Sequence, residues 1–122
     1  MLNQNELLFF NSIVTKVTET LQVNIPIIAY DHDLLNGKHK EALGCAWFNQ
    51  DDKVYQITID EFFISECYSD KLYNEGVKGH CPKISEDLDY VLCHEVAHTV
   101  YMRHGKKHEE LTQYLLDKVR ND

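Results

Sequence analysis

Basic residues are scarce in this chain, whose 122 residues include two arginines and ten lysines against twenty acidic residues. The formal net charge is −8 at pH 7. A nucleic-acid interface requires lysine and arginine clustered on one face. The adjacent pair Lys106-Lys107 would attract an acidic substrate beside a site, but it is more typical of a solvated turn. The composition therefore argues against direct nucleic-acid binding.

Long apolar runs and a cysteine framework are also missing. No run approaches the roughly eighteen apolar residues of a membrane helix, and the N-terminus, MLNQNELLFF, has no basic segment ahead of an apolar one. The four cysteines are scattered and form no C-x-x-C pair: Cys45, Cys67, Cys81 and Cys93. We therefore expect a soluble cytoplasmic protein with reduced thiols and no membrane partner.

The length and composition fit one folded domain over residues 1–122. Hydrophobic residues make up 43% of the chain and aromatic residues 11%, as in a globule rather than a disordered segment. A domain of this size has a real but modest core. Neither quantity bears on the oligomeric state.

Hydrophobic periodicity predicts a helix followed by three strands. Apolar residues recur at helical spacing over residues 5–20. Three β-prone segments follow at residues 25–30, 43–48 and 54–59, and the short polar loop between the last two predicts an antiparallel hairpin. We interpret His32 and His39, in the polar loop before the second strand, as solvated surface residues.

Residues 60–83 are less regular, and a short helix over residues 61–64 is the one element predicted there. Cys67, His80 and Cys81 lie in this segment, but their spacing matches no compact zinc module and no fourth ligand is evident nearby. We interpret the segment as a surface insertion that flanks a cleft.

A buried helix is predicted next, with Ser85 as its N-cap. Apolar residues recur along it every four residues: Leu88, Leu92, Val96 and Val100. His94 and His98 are also four residues apart, so on a helix they share one face with their Cβ atoms about 5–6 Å apart. Two imidazoles so placed can bind one zinc ion.

Glu95 follows the first of these histidines, on the adjoining helical surface. There its carboxylate can face a metal-bound water and take its proton, as a general base does. Several histidines in one short segment are poorly explained as core residues, because each buried imidazole would need its own hydrogen-bond partners. The pattern predicts a catalytic zinc site, which uses three protein ligands and leaves the fourth position to water.

His104 is the natural third ligand if the chain turns before it. A helix continuing through Arg103 would carry His104 away from the face of the first two histidines. We therefore expect a turn at residues 102–105 with Gly105 in the left-handed conformation. A last helix follows and places His108 on its apolar face, so His108 is the rival third ligand.

The segment HEVAH from His94 to His98, followed after five residues by His104-Gly105, resembles the HExxHxxxxxHG signature of small zinc peptidases, the SprT-like (Spartan-like) and YgjP-like minimal zincins. The resemblance implies a zinc-dependent peptidase that acts on polypeptides. It also agrees with the predicted order of elements, an α+β domain with an N-terminal helix, a three-stranded, largely antiparallel sheet, the HExxH helix and a C-terminal helix.

The resemblance also implies a place for the substrate. In minimal zincins the strand over the site helix is a sheet edge that pairs with extended peptide, and residues 54–59 are our candidate, with Gln56 and Thr58 as substrate contacts. The alternative is a plain sheet edge. SprT-like proteins usually have an aromatic residue at the position of His108, which we assign as a cleft neighbour and a candidate donor to the oxyanion.

Two other functions stay open. A zinc-holding binding module without turnover would close all four metal positions with protein ligands, His108 being the candidate fourth. Glu95 argues against this function, because a structural site needs no base. A metal-dependent hydrolase of a non-peptide substrate is the other alternative. Neither the substrate nor a dependence on DNA follows from the sequence.

Overall fold

The computed structural model describes residues 1–82 and 86–121 of the chain. These residues have an α+β fold, which confirms the predicted class: α1 (Gln4–Leu21), β1 (Ile27–Tyr30), β2 (Gly44–Phe48), β3 (Val54–Asp60), α2 (Glu61–Asn74), α3 (Leu88–Ala97) and α4 (Lys106–Arg120). Ser85, the predicted N-cap of the site helix, lies outside the described residues. None of the described helices combines the length and the apolarity of a membrane span.

The N-terminal helix forms where the sequence supplies both a cap and an apolar face. The Asn3 side chain accepts from the Glu6 N–H at 2.8 Å, and the Glu6 carboxylate accepts from the Asn3 N–H at 2.9 Å, a reciprocal capping box. Phe10 and Val17, two turns apart, are buried in the core. The predicted first helix is therefore confirmed.

The sheet has the order β1-β3-β2, with β3 in the centre. β2 and β3 are antiparallel, as the hairpin loop predicted. β1 pairs with β3 in parallel, so the sheet is mixed and the expectation of a largely antiparallel sheet was wrong for this pair. The loop after β1 carries the chain past the position of β3 to the far edge, and the hairpin then returns β3 between the other two strands.

The core lies between the sheet and the helices. Ile57 and Ile59 of β3 contribute one side of it, and Leu92 of α3 lies in the same cluster with no exposed surface. Because side chains alternate along a strand, Thr58 faces the opposite side of the sheet. Two short 3-10 turns, His32–Leu34 and Gly37–Glu41, lie in the loop that leads to β2.

His32 differs from the prediction of a solvated residue, because it is 0% exposed. Its ring is hydrogen-bonded to the Ala42 carbonyl and the Thr58 hydroxyl, and such partners allow a polar side chain to be buried. His39 is exposed as expected, with its ring 4.9 Å from that of Trp47.

α2 spans 14 residues and is far longer than the predicted short helix. Phe63, Ile64 and Cys67 are its buried residues. The half beyond them is polar, and an ion pair of 2.8 Å between Lys71 and Glu75 supports it. This half concealed the helix, because polar residues outnumber the apolar Tyr68 and Leu72 that continue its buried face.

The three potential metal ligands in and after α2 have different environments: Cys67, His80 and Cys81. His80 Nδ1 lies 3.2 Å from Ser69 Oγ, Cys67 is buried and Cys81 is exposed. Within residues 1–82 and 86–121, the group of metal-binding side chains that converges is a different one, formed by α3 and α4.

Candidate metal centre

α3 carries two candidate ligands and the candidate base. Leu92 and Val96 on this helix are buried in the core, which fixes the rotation of the helix about its axis. His94 and His98 are thereby held on the opposite side, beside the cleft, with ring centroids 5.3 Å apart. The local spacing of the sequence therefore gives the geometry expected of a shared ligand pair.

The chain turns back directly after this helix. α3 ends at Ala97, well before the end near Met102 that we expected. The Thr99 N–H bonds the Val96 carbonyl at 2.9 Å and the Tyr101 N–H bonds the Ala97 carbonyl at 3.0 Å. These tight turns reverse the chain and bring His104 back to the first two histidines.

Gly105 does not have the left-handed conformation that we predicted. Its φ of 167° and ψ of −173° are those of extended backbone, and it stands at the N-cap of α4. The reversal is made by residues 98–104, so no left-handed residue is needed at its end. Glycine is also an acceptable N-cap.

Three imidazole nitrogens converge at this turn. His104 Nε2 lies 3.0 Å from His94 Nε2 and 3.2 Å from His98 Nε2. In a tetrahedral site with Zn–N distances of about 2.0–2.1 Å, neighbouring ligand nitrogens are about 3.3 Å apart. The three nitrogens are therefore spaced so that one metal ion could bind all of them.

The protein favours the neutral form of His94 and His98, which metal coordination requires. Burial, together with the neighbouring His108, His104 and His98, lowers the pKa of His94 from 6.5 to about 4. Burial also lowers the pKa of His98. The His98 Nδ1–H donates to the Tyr101 carbonyl at 3.0 Å, which leaves the Nε2 lone pair for the shared point.

His108 belongs to the cluster but lies behind it. Its ring is 3% exposed, and its centroid is 4.3 Å from that of His98 and 4.5 Å from that of His94. The Nε2–H donates to the His94 carbonyl at 2.9 Å. The predicted place of His108 in the cleft, with a contact to the oxyanion, was wrong, because α4 buries this ring against α3.

All four histidines still offer ligand atoms within 4.8 Å of one another. They are His94, His98, His104 and His108. The first three converge through Nε2 and line the cleft, whereas His108 is buried and does not belong to the cleft lining. The set of three is therefore the better-prepared ligand group.

Glu95 is buried beside the histidines, with 5% of its surface exposed. Its Oε1 lies 4.0 Å from His98 Nε2. Burial raises the pKa of the carboxyl from 4.5 to about 7, while a hydrogen bond from the Ala46 backbone N–H lowers it. A carboxyl with a pKa near neutrality can both take up and release a proton at neutral pH.

Gly44 allows β2 to approach α3 closely at Glu95. A Cβ on Gly44 would lie 3.0 Å from Val91 Cγ1 and 3.1 Å from Glu95 Cγ and Oε2. Any larger residue would therefore press on the helix and on the carboxylate. A glycine inside a predicted strand is a sign of such close approach, and this sign could have identified Gly44 from the sequence.

A cleft of about 610 Å³ opens in front of the histidines. β2 contributes one wall and α3 the other, with Met102 from the turn. The four residues singled out by the motif all line this cleft: His94, Glu95, His98 and His104. The structure therefore brings the three candidate ligands and the candidate base to one solvent-accessible place.

The strand that borders this cleft is β2, and the prediction of β3 as the substrate-pairing edge was wrong. β2 pairs with β3 at both Gln56 and Thr58, and β1 also pairs with β3 at Thr58, so the strand edge beside the cleft belongs to β2. Thr58 is also buried on the far side of the sheet. Strand addition beside the cleft at these two residues is excluded by the strand order, which short-range sequence patterns do not determine.

β2 has backbone groups that point away from β3. The Asp60 N–H donates to the Leu43 carbonyl, and along an antiparallel pair bonded positions alternate with non-bonded ones. Gly44 and Ala46 occupy the non-bonded positions, so their N–H and C=O groups face outward. The Ala46 N–H is the group that reaches Glu95.

Comparison with known proteins agrees with the motif. Residues 83–122 match the family model described as YgjP-like, metallopeptidase domain. The matched segment contains α3, the turn and α4, and hence the whole histidine cluster and Glu95. No curated protein and no solved structure matches the chain. Over residues 83–122, the part that carries the candidate metal centre, the chain is similar to YgjP-like metallopeptidase domains.

Proposed function

We propose that this protein is a zinc-dependent peptidase in which His94, His98 and His104 hold the metal. The observation that carries the proposal is the convergence of their Nε2 atoms, at 3.0 and 3.2 Å, in a cleft that also contains Glu95. Zinc, when bound, would polarise the scissile carbonyl and make a water more acidic. The metallopeptidase match over the same residues supports this function.

Glu95 would act as the general base. It would take a proton from the attacking water and later give it to the leaving amine. The position of Glu95 supports this role, because a general base must lie within reach of the water, and Glu95 Oε1 lies in the cleft 4.0 Å from His98 Nε2. The Ala46 N–H donates to the Glu95 carboxylate. This hydrogen bond fixes the position of the base relative to β2.

β2 would bind the substrate by strand addition. The outward N–H and C=O of Gly44 and the C=O of Ala46 can pair with an extended polypeptide, while the cleft receives alternate side chains. Main-chain pairing tolerates many sequences. We therefore expect unstructured polypeptides of varied sequence as substrates, rather than one strict cleavage site.

A zinc-holding module without turnover is the second candidate. It is favoured by the position of His108, which places a fourth imidazole within 4.8 Å of the other ligand atoms. Two observations oppose it. His108 is 3% exposed and is not among the residues that line the cleft, and a structural site would have no use for the buried carboxyl of Glu95.

The Glu95→Gln variant tests the proposed function. The amide fills the same space but cannot accept the proton, so turnover of an unfolded protein substrate such as reduced casein should fall by about 10²-fold or more. Zinc content should stay near one ion per chain, at about the wild-type value. The His94→Ala and His98→Ala variants are the matched controls and should lose most of the zinc.

Three other results of these assays would contradict the proposed function or one of its residue assignments. Wild-type turnover in Glu95→Gln would rule out the assigned base. A wild-type protein that binds zinc but cleaves no polypeptide would favour the binding module or a hydrolase of other substrates. Full zinc content in either histidine variant would refute the ligand assignment.

A further inference from the structure

A polar network lies behind β2, on the sheet face that is turned away from α3. The His32 Nδ1–H donates to the Ala42 carbonyl at 2.7 Å, and its Nε2 accepts from the Thr58 hydroxyl at 2.9 Å. The Trp47 Nε1–H donates to Thr58 Oγ1 at 2.9 Å. Because a carbonyl only accepts and an indole N–H only donates, a neutral imidazole fixes the direction of all three bonds.

This network fastens both ends of the strand that borders the cleft. Ala42 stands just before β2 and lines the cleft, and Trp47 stands near the other end of the strand. Both are tied to Thr58 of the central strand, the first through His32 and the second directly. Among the strands that the structure describes, β2 pairs with β3 alone. The position of β2 therefore depends strongly on the side-chain hydrogen bonds that His32 and Trp47 make on this face of the sheet.

We propose that His32 is a positioning residue for the substrate-binding strand. Its hydrogen-bond partners are Asp60, Ala42 and Thr58, and none of these is a candidate metal ligand or the candidate base. Because His32 holds the start of β2, it fixes the outward backbone groups of Gly44 and Ala46 beside Glu95. This inference rests on the proposed function, because it concerns the binding of substrate at that site.

Removal of the imidazole would break two hydrogen bonds of the network. The Ala42 carbonyl would lose its part-buried bond to the ring, and the Thr58 O–H would lose its buried acceptor while Thr58 Oγ1 still accepts from the Trp47 Nε1–H. A buried polar group left unsatisfied costs about 1–3 kcal/mol. An edge strand can relieve this cost by moving toward solvent. Such a movement would disturb substrate pairing while leaving the ligands on α3 in place.

The test uses His32→Leu, which fills the space without hydrogen bonds, and Thr58→Val, which removes one hydroxyl at nearly constant volume. Hydrogen exchange measured by mass spectrometry should become about tenfold faster over residues 42–48, as expected for one lost buried hydrogen bond. Exchange over residues 88–97 should be unchanged. The KM for unfolded casein should rise about tenfold, with kcat and zinc content near the wild-type values.

Two further variants separate positioning from general stability. His32→Gln supplies one donor and one acceptor in place of the two ring nitrogens, and it should restore most of the wild-type KM. His80→Leu removes another partly buried histidine, bonded to Ser69 outside the network, and should change neither KM nor exchange over residues 42–48. Thr58→Val keeps the test decisive if His32→Leu does not fold.

Several results would overturn the inference. Unchanged exchange over residues 42–48 in the folded variants would show that the network does not hold β2. Faster exchange across the whole chain, or a lower kcat at constant KM, would indicate a purely structural role. A wild-type protein that cleaves no polypeptide would refute the proposed function instead, while exchange over residues 42–48 would still decide whether His32 anchors the strand.

Discussion

Replacement of Gly44 by alanine would disturb the contact between β2 and α3. The new Cβ would lie 3.0 Å from Val91 Cγ1 and 3.1 Å from Glu95 Cγ and Oε2, whereas carbon atoms normally pack about 3.5–4.0 Å apart. The side chains of Val91 and Glu95, or the helix that carries them, must therefore give way by a few tenths of an ångström, and overpacking of this kind costs about 1–3 kcal/mol. Since a misplacement of about 1 Å can reduce a rate by about 10²-fold, we expect kcat to fall roughly tenfold.

The assay compares the free energy of unfolding in urea, zinc content and casein hydrolysis for wild type and Gly44→Ala. Zinc content should not change, because the ligands are not displaced from one another. Gly105→Ala is the matched control: nothing lies within 4 Å of its new Cβ, so its free energy of unfolding should change by less than about 1 kcal/mol. Wild-type stability and turnover in Gly44→Ala would refute the close contact and its importance for the base.

Three further predictions concern single side chains. His104→Ala should lower zinc affinity by orders of magnitude in a metal titration. His108→Ala should retain zinc but unfold at a lower free energy, because a buried hydrogen-bonded ring is removed. The reverse order of zinc affinities would make His108 the ligand. In zinc-free protein the folded state holds a proton on Glu95 that the unfolded chain releases between pH 4.5 and 7. Wild type should therefore lose up to about 3 kcal/mol of stability relative to Glu95→Gln as the pH rises through this range, and parallel curves of unfolding free energy against pH would contradict the raised pKa. Alkylation of the native protein by iodoacetamide should modify the exposed Cys81 and spare Cys93, whose burial raises its pKa to about 12; equal rates would show that Cys93 is accessible.

The geometry of the motif was predictable from the sequence because it is local. His94, Glu95 and His98 lie within five consecutive residues, and helical periodicity alone determines how they face one another. The return of His104 needed one further inference, that the helix must stop before it. The place at which the helix stops was not predictable, because short-range turns at residues 98–101 end it.

The strand order was beyond the reach of local patterns. Whether β3 lies at an edge or in the centre depends on where the loop after β1 crosses the sheet, and that loop has no apolar periodicity. The same loop carries His32, whose burial depends on Thr58, a residue distant in sequence. Substrate contacts assigned to Gln56 and Thr58 were wrong for this reason, while the hairpin itself was predicted correctly.

The coordination of zinc in the loaded protein tests the central claim most directly, and a crystal structure at high resolution would show it. We predict one zinc ion bound at about 2.0–2.1 Å by the Nε2 atoms of His94, His98 and His104, with a non-protein ligand in the fourth position next to Glu95. A fourth protein ligand from His108 would close the site and contradict the proposal that this protein is a peptidase.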